Sequence, residues 1–162
     1  MKGLRLGVAA AGVLLVAGVA WFYFVQRSDT VSASGADPDD PELVALGRQV
    51  YAEACADCHG ANLEGEANWR VRNADGTLKA PPHDASGHTW HHDDDLLFRY
   101  TKLGGAGVLP PHVVSAMPAF GDAYTDKEIW AVLAFIKSRW PQHIRARQQL
   151  INRRAPSAKP DR

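Results

Sequence analysis

The chain has 162 residues, 46% of them hydrophobic and 22% charged, and its 18 Lys and Arg balance 18 Asp and Glu to a formal net charge of zero. That length accommodates one domain of roughly 100 to 150 residues with accessory segments and excludes two large ones. Balanced charge argues against a nucleic-acid ligand, which needs a basic face, and two cysteines, Cys55 and Cys58, are too few for a disulfide framework.

From Leu6 to Val25 there is no Asp, Glu, Lys or Arg, and the stretch ends in Trp21-Phe22-Tyr23-Phe24. About twenty residues of helix at ~1.5 Å each span a hydrocarbon core of ~30 Å, so residues 1–27 are predicted to be a single-pass membrane anchor. Lys2 and Arg5 precede the apolar run, whereas Asp29, Asp37, Asp39, Asp40 and Glu42 follow the lone Arg27. The positive-inside rule then places the first residues in the cytoplasm and the rest outside; the expected setting is a bacterial inner membrane with the domain in the periplasm, or an equivalent exported compartment. A cleaved signal competes, since Val31-Ser32-Ala33 and Ser34-Gly35-Ala36 suit a peptidase, but such signals have a shorter apolar core of ~7 to 15 residues. Either way the remainder is exported.

Residues 28–40 are small, acidic and Pro-bearing, and read as a flexible linker. A first helix is predicted from Pro41, with Asp40 as its cap and Leu43, Leu46, Val50 and Ala54 on one face running into Cys55. From Gly60 to Trp90 the chain is rich in Asn, Gly, Pro and His, and irregular structure is expected. A second helix is signalled by Asp93 or Asp94 as cap and by Leu96, Leu97, Tyr100 and Leu103, with Gly104 and Gly105 as terminator. Residues 106–124 return to Gly and Pro punctuation around Met117. A third helix starts with the capping-box pair Thr125 and Glu128 and runs through Ile129, Trp130, Val132, Leu133, Phe135 and Ile136 towards Pro141. The expectation is an all-α domain over 41–141 followed by a basic tail over 142–162. From Lys137 onward eight basic residues face Asp161 alone, whereas residues 42–136 carry thirteen acidic against seven basic. The tail reads as solvated or partly helical, with contact to anionic lipid or an acidic partner as the alternative.

Cys55-Ala56-Asp57-Cys58-His59 is the attachment sequence for c-type haem, in which two thiols bond to the porphyrin and the adjacent histidine ligates iron. Thiols three residues apart at the end of a helix lie on neighbouring turns of one face, which lets His59 reach beneath the ring they hold. A disulfide, a redox pair and half of a zinc site compete. Structural zinc wants further Cys or a spaced His pair, and a redox pair wants a strand and helix context absent here. The distal iron ligand is expected to be Met117, in Met117-Pro118-Ala119-Phe120, whose soft thioether favours Fe(II); His83, His88, His91, His92 and His112 are the competitors.

On these residues the chain from about Leu43 to Trp140 resembles the class I c-type cytochromes, small all-α electron carriers with one haem. Gly47 and Tyr51 resemble that family's Gly-x-x-x-aromatic pattern on the first helix, Cys55, Cys58 and His59 its attachment site, and Met117-Pro118 with Ile129 to Ile136 its distal loop and last helix. The resemblance implies three main helices around one covalently bound haem c, and a crossing of the first and last helices in which Gly47 and Tyr51 meet Leu133 or Phe135. It also implies a proline carbonyl, from Pro81 or Pro82, that accepts the proximal imidazole N–H. Trp69, Trp90, Phe98, Leu103 and Phe120 are candidates for the apolar wall.

His88, His91 and His92 stand beside Asp93, Asp94 and Asp95. Two readings compete: a site for Cu(II) or Zn(II), or surface histidines next to carboxylates that cap a helix. The function expected is a membrane-tethered monohaem electron carrier with no catalytic reaction of its own. It would pass single electrons among partners such as a quinol-oxidising complex, a terminal oxidase or a dehydrogenase, with no nucleic-acid partner. The alternatives are a sensory or catalytic haem protein with a labile Met117, and a copper-handling cytochrome using the histidine run.

Overall fold

The computed structural model describes residues 35–155. The expected anchor, residues 1–27, and the start of the linker lie outside them, as does the end of the basic tail. Among the described residues no helix is long and apolar enough to cross a membrane.

Helix α1, Pro41–Ala54, begins as its sequence dictates. Asp40 accepts hydrogen bonds from the N–H groups of Glu42 at 2.9 Å and Leu43 at 3.0 Å, satisfying donors that an α-helix leaves free at its start, and Pro41 lacks the N–H that would otherwise need a partner. Cys55 closes α1 and opens the one-turn helix α2, Ala56–His59, which stops at Gly60 with φ 81°. Residues 61–88 follow without regular structure and lead into a 3-10 turn, Thr89–His91.

Helix α3, Asp94–Val108, is capped by Asp93, whose carboxylate accepts the Leu96 N–H at 2.9 Å. The predicted terminator at Gly104 and Gly105 is a kink instead: Gly104 takes φ 71° and ψ 171°, and helical structure resumes to Val108. Helix α4, Asp126–Ser138, carries both halves of the Thr125/Glu128 capping box. The basic tail is partly helical, as one reading of it allowed, but it is not a solvated end: Gln142–Arg154 forms a further helix, α5, packed through the buried Ile144 and Gln148. The linker differs too at its end: Ala36 is buried against the core, and Asp39 pairs with Arg145 of α5 at 2.7 Å. Apolar patterning predicts three main helices; the fourth is a helix whose mean composition is polar and which docks by specific contacts.

The core lies where α1 crosses α4. Leu43, Val50 and Tyr51 from α1 meet Val132, Leu133, Phe135 and Ile136, all nearly inaccessible to solvent. Each such side chain contributes roughly 1.5–3 kcal/mol by leaving water. Gly47 sits at the closest approach, where a Cβ would run into the Ala131 carbonyl. The partner of Gly47 is thus Ala131–Val132, one to two residues before the expected Leu133, while Tyr51 packs against Phe135 as expected, with ring centroids 5.4 Å apart and the planes tilted by 53°. On the other side of α4, Trp130 lies over Phe98 of α3 at 4.3 Å. Because α4 has neighbours on nearly every side, it is apolar nearly all round.

Candidate functional site

Cys55 and Cys58, both free, occupy the α1–α2 junction, the first half-buried and the second exposed. Burial, with a smaller contribution from the neighbouring Cys58, pushes the Cys55 thiol up to about 11. A reactive redox pair needs the opposite shift, towards thiolate at neutral pH. His59 ends α2 and is buried, and its Nδ1–H donates to the Pro81 carbonyl at 2.9 Å. Burial lowers its pKa, against weaker opposing contributions from that hydrogen bond and from Glu66. A neutral imidazole that donates through Nδ1 presents its Nε2 lone pair on the other side of the ring, which is the state a metal takes.

The proline doublet left the acceptor open between Pro81 and Pro82; the geometry selects Pro81. Its carbonyl reaches His59 because Gly65, with φ 66°, lets the chain come close: a Cβ there would lie 2.6 Å from the Pro81 carbonyl carbon. Glu66 clasps the same strand of loop from both ends, its N–H donating to the Ala80 carbonyl at 2.9 Å and its carboxylate accepting the Ala80 N–H at 2.6 Å. Pro82 faces elsewhere, its carbonyl packed against Gly87 and 3.5 Å from the Thr89 hydroxyl.

His83, considered from the sequence only as a rival distal ligand, packs beside this arrangement together with Thr89 and Trp140, for which the sequence suggested no role. The His83 ring stacks on His59 with centroids 4.0 Å apart. Its Nδ1 shares a hydrogen bond with the Thr89 hydroxyl at 2.8 Å, and its carbonyl accepts Trp140 Nε1–H at 2.7 Å. Burial, followed by the neighbouring His59 and His88, holds His83 well below the ordinary imidazole range.

Met117 belongs to a different loop, half-buried and tied down at several points. Ser115 Oγ accepts its N–H at 3.2 Å and its carbonyl accepts the Gly105 N–H at 3.1 Å. The Phe120 and Gly121 N–H groups bond to the Thr101 and Lys102 carbonyls. The kink at Gly104 makes this strapping feasible, since a Cβ there would sit 2.7 Å from the Ala119 nitrogen and 3.0 Å from the Met117 carbonyl oxygen. A parallel bridge between Leu78 and Ser115 joins the Met117 loop to the loop that follows the Cys-Cys-His motif. The long loops are therefore held to each other and to α3, and their backbone polar groups find partners there.

The histidine run takes separate positions. His88 stacks on Trp69 at 5.1 Å and meets the edge of His92 at 5.5 Å, while His91 lies on Trp90 at 3.8 Å. Among the described residues no group of three or more His, Cys, Asp or Glu is arranged to hold a metal ion, so the copper reading of His88, His91 and His92 gains no geometric support. Of the wall candidates, Phe98 is engaged with Trp130 and Leu103 is 49% exposed.

The donors present suit a c-type haem: two unpaired thiols, a neutral imidazole with a free Nε2, and a thioether in a restrained loop. Residues 42–136 match the family model described as cytochrome C oxidase, cbb3-type, subunit III. No curated protein and no solved structure matches the chain. The family match covers more than half of the chain and takes in nearly all of α1, the Cys-x-x-Cys-His motif, Met117 and most of α4. The chain therefore belongs to the cbb3-type cytochrome c oxidase subunit III family, whose cytochrome c domain carries covalently bound haem c and transfers electrons.

Proposed function

We propose that this protein is a membrane-tethered monohaem electron carrier. Cys55 and Cys58 would bind the haem covalently, and His59 and Met117 would ligate its iron. When bound, the haem supplies one-electron Fe(III)/Fe(II) chemistry. Pro81 orients His59 and, by accepting its Nδ1–H, makes the opposite nitrogen a better donor. The Gly104 kink and Ser115 hold the Met117 backbone, so that ligand exchange would cost the loop its restraints. The observation that carries this reading is the His59–Pro81 hydrogen bond beside two free thiols.

The apolar, uncharged residues 6–25 support a single-pass anchor with the haem domain on the periplasmic side. Tethering raises the local concentration of the carrier at membrane partners. Among a quinol-oxidising complex, a dehydrogenase and a terminal oxidase, the family description favours the oxidase.

The test is the optical spectrum of full-length protein matured with haem, wild type against Met117→Ala, including the weak near-infrared sulfur-to-iron band of the oxidised form. Wild type is expected to show covalent haem and that band, and Met117→Ala to lose the band while keeping the haem. Covalent haem without the band in wild type would move the sixth position to a histidine or leave it open, and the sensory or catalytic alternative would then take precedence.

A further inference from the structure

His83 is held more tightly than a space-filling residue requires. Its N–H donates to the Leu63 carbonyl at 2.8 Å, its carbonyl accepts from Trp140 at 2.7 Å, and its ring shares the 2.8 Å hydrogen bond with Thr89. These partners come from three separate parts of the chain: the loop after α2, the 3-10 turn, and the end of α4. All three are buried. Leu63 is also in the left-handed region, with φ 72°, a conformation uncommon for a residue other than glycine. It turns the Leu63 carbonyl to accept both the His83 N–H and, at 3.3 Å, that of Asp84.

The face of this immobilised ring lies on the face of His59, the planes 21° from parallel. Pro81 alone restrains His59 loosely, because a carbonyl oxygen accepts hydrogen bonds over a broad range of directions. A flat neighbour on the face of the ring narrows that range, as offset aromatic stacking has preferred geometry of its own. We propose that His83 is a positioning residue that fixes the plane of the His59 imidazole, with Thr89 and Trp140 as its anchors. Pro81 and His83 then divide the work: one selects the nitrogen offered to iron, the other the rotation of the ring about that nitrogen. The proposal rests on His59 being the proximal ligand.

The plane of an axial imidazole determines how unpaired spin spreads over the porphyrin of an oxidised low-spin haem, and so the spread and order of the shifted haem methyl resonances. The experiment records proton NMR spectra of oxidised, full-length, haem-bearing protein for wild type, His83→Leu, His83→Phe and Thr89→Val. His83→Leu is expected to reorder or compress the methyl shifts, and His83→Phe, which keeps a flat face but loses the Thr89 hydrogen bond, to give an intermediate change like that of Thr89→Val. A wild-type pattern in His83→Leu overturns the proposal, as does a His83→Phe spectrum matching that of His83→Leu. Should His83→Leu fail to fold, an unchanged pattern in Thr89→Val overturns it equally. Absence of covalent haem from wild type, or a spectrum indifferent to His59→Gly, would defeat the ligand assignment as well; an ordinary wild type with an indifferent His83→Leu defeats the positioning role alone.

Discussion

The two junctions made by α4 hold in different ways. Towards α1 it offers an apolar face into which Gly47 brings the helices to backbone contact. Towards α3 and α5 its last turn offers Lys137, buried and 2.7 Å from Asp94, with Gln148 and Asn152 of α5 completing the ring of hydrogen bonds. The first junction carries the end of α1 that leads to Cys55 and His59. The second fixes the start of α3 and, through Gln148 to the His92 carbonyl at 3.3 Å, the turn containing Thr89. Apolar contact tolerates approximate matches but not added volume; a buried polar ring tolerates neither the loss of a partner nor its displacement.

Gly47→Val should break the first junction and produce the largest effect. The added side chain has rigid backbone in its way, at the Ala131 carbonyl and Val132 nitrogen, so repacking of neighbouring side chains cannot relieve it. A loss of about 3 kcal/mol or more is expected, read as a lowered denaturant midpoint of the haem-bearing protein. Retention of wild-type stability would show that α1 and α4 do not cross as closely as described.

Asp94→Ala should break the second junction at a cost of about 3 kcal/mol, because it leaves the Lys137 ammonium buried without a carboxylate. Lys137→Met is the informative companion. It removes the more buried of the two charges and fills the same space, while the Asp94 carboxylate keeps its hydrogen bonds from Gln148 and Asn152, so it is expected to cost less than about half as much as Asp94→Ala. Equal losses in urea unfolding would mean that the pair contributes by attraction alone and that desolvation is unimportant there.

The two junctions also differ in how far sequence reveals them. The α1 face is written in Leu43, Val50 and Tyr51, and α4 in its capping box and apolar run, so both helices are legible from periodicity, whereas their crossing was implied by the family resemblance. The motif likewise points to Cys55, Cys58 and His59 as the candidate site without geometry. Nothing comparable marks α5, whose docking depends on Gln148 and Asn152 meeting Asp94 across separations of 54 and 58 residues. Polar residues at helical spacing look the same whether they face water or a buried carboxylate. The choice of Pro81 over Pro82 depended on Gly65, and the use of His83 on Trp140, contacts that local pattern does not encode. Gly104 and Gly105 were visible as a break, but whether such a break ends a helix or kinks it depends on the Met117 loop laid across it.

The smallest effect sharpens the comparison by acting on the beginning of α4, outside both junctions. Thr125→Ala removes the hydroxyl that accepts the Glu128 N–H and the group that donates to the Glu128 carboxylate at 2.7 Å, and should cost about 1 kcal/mol near pH 7. Hydrogen bonds from the Thr125 hydroxyl and then its backbone N–H hold Glu128 below its ordinary value of 4.5. A carboxyl whose folded pKa is depressed contributes stability above its unfolded pKa and loses it as pH falls through the folded one. The gap between wild type and Thr125→Ala should therefore narrow as pH drops below about 4.5, without closing, because the Thr125 hydroxyl still accepts the Glu128 N–H after the carboxyl is protonated. Thermal unfolding of both proteins from about pH 7 to about pH 3.5 measures this. A gap independent of pH would assign the whole effect to that N–H bond and remove the carboxylate from the cap, leaving α4 dependent on its two junctions and a single hydroxyl.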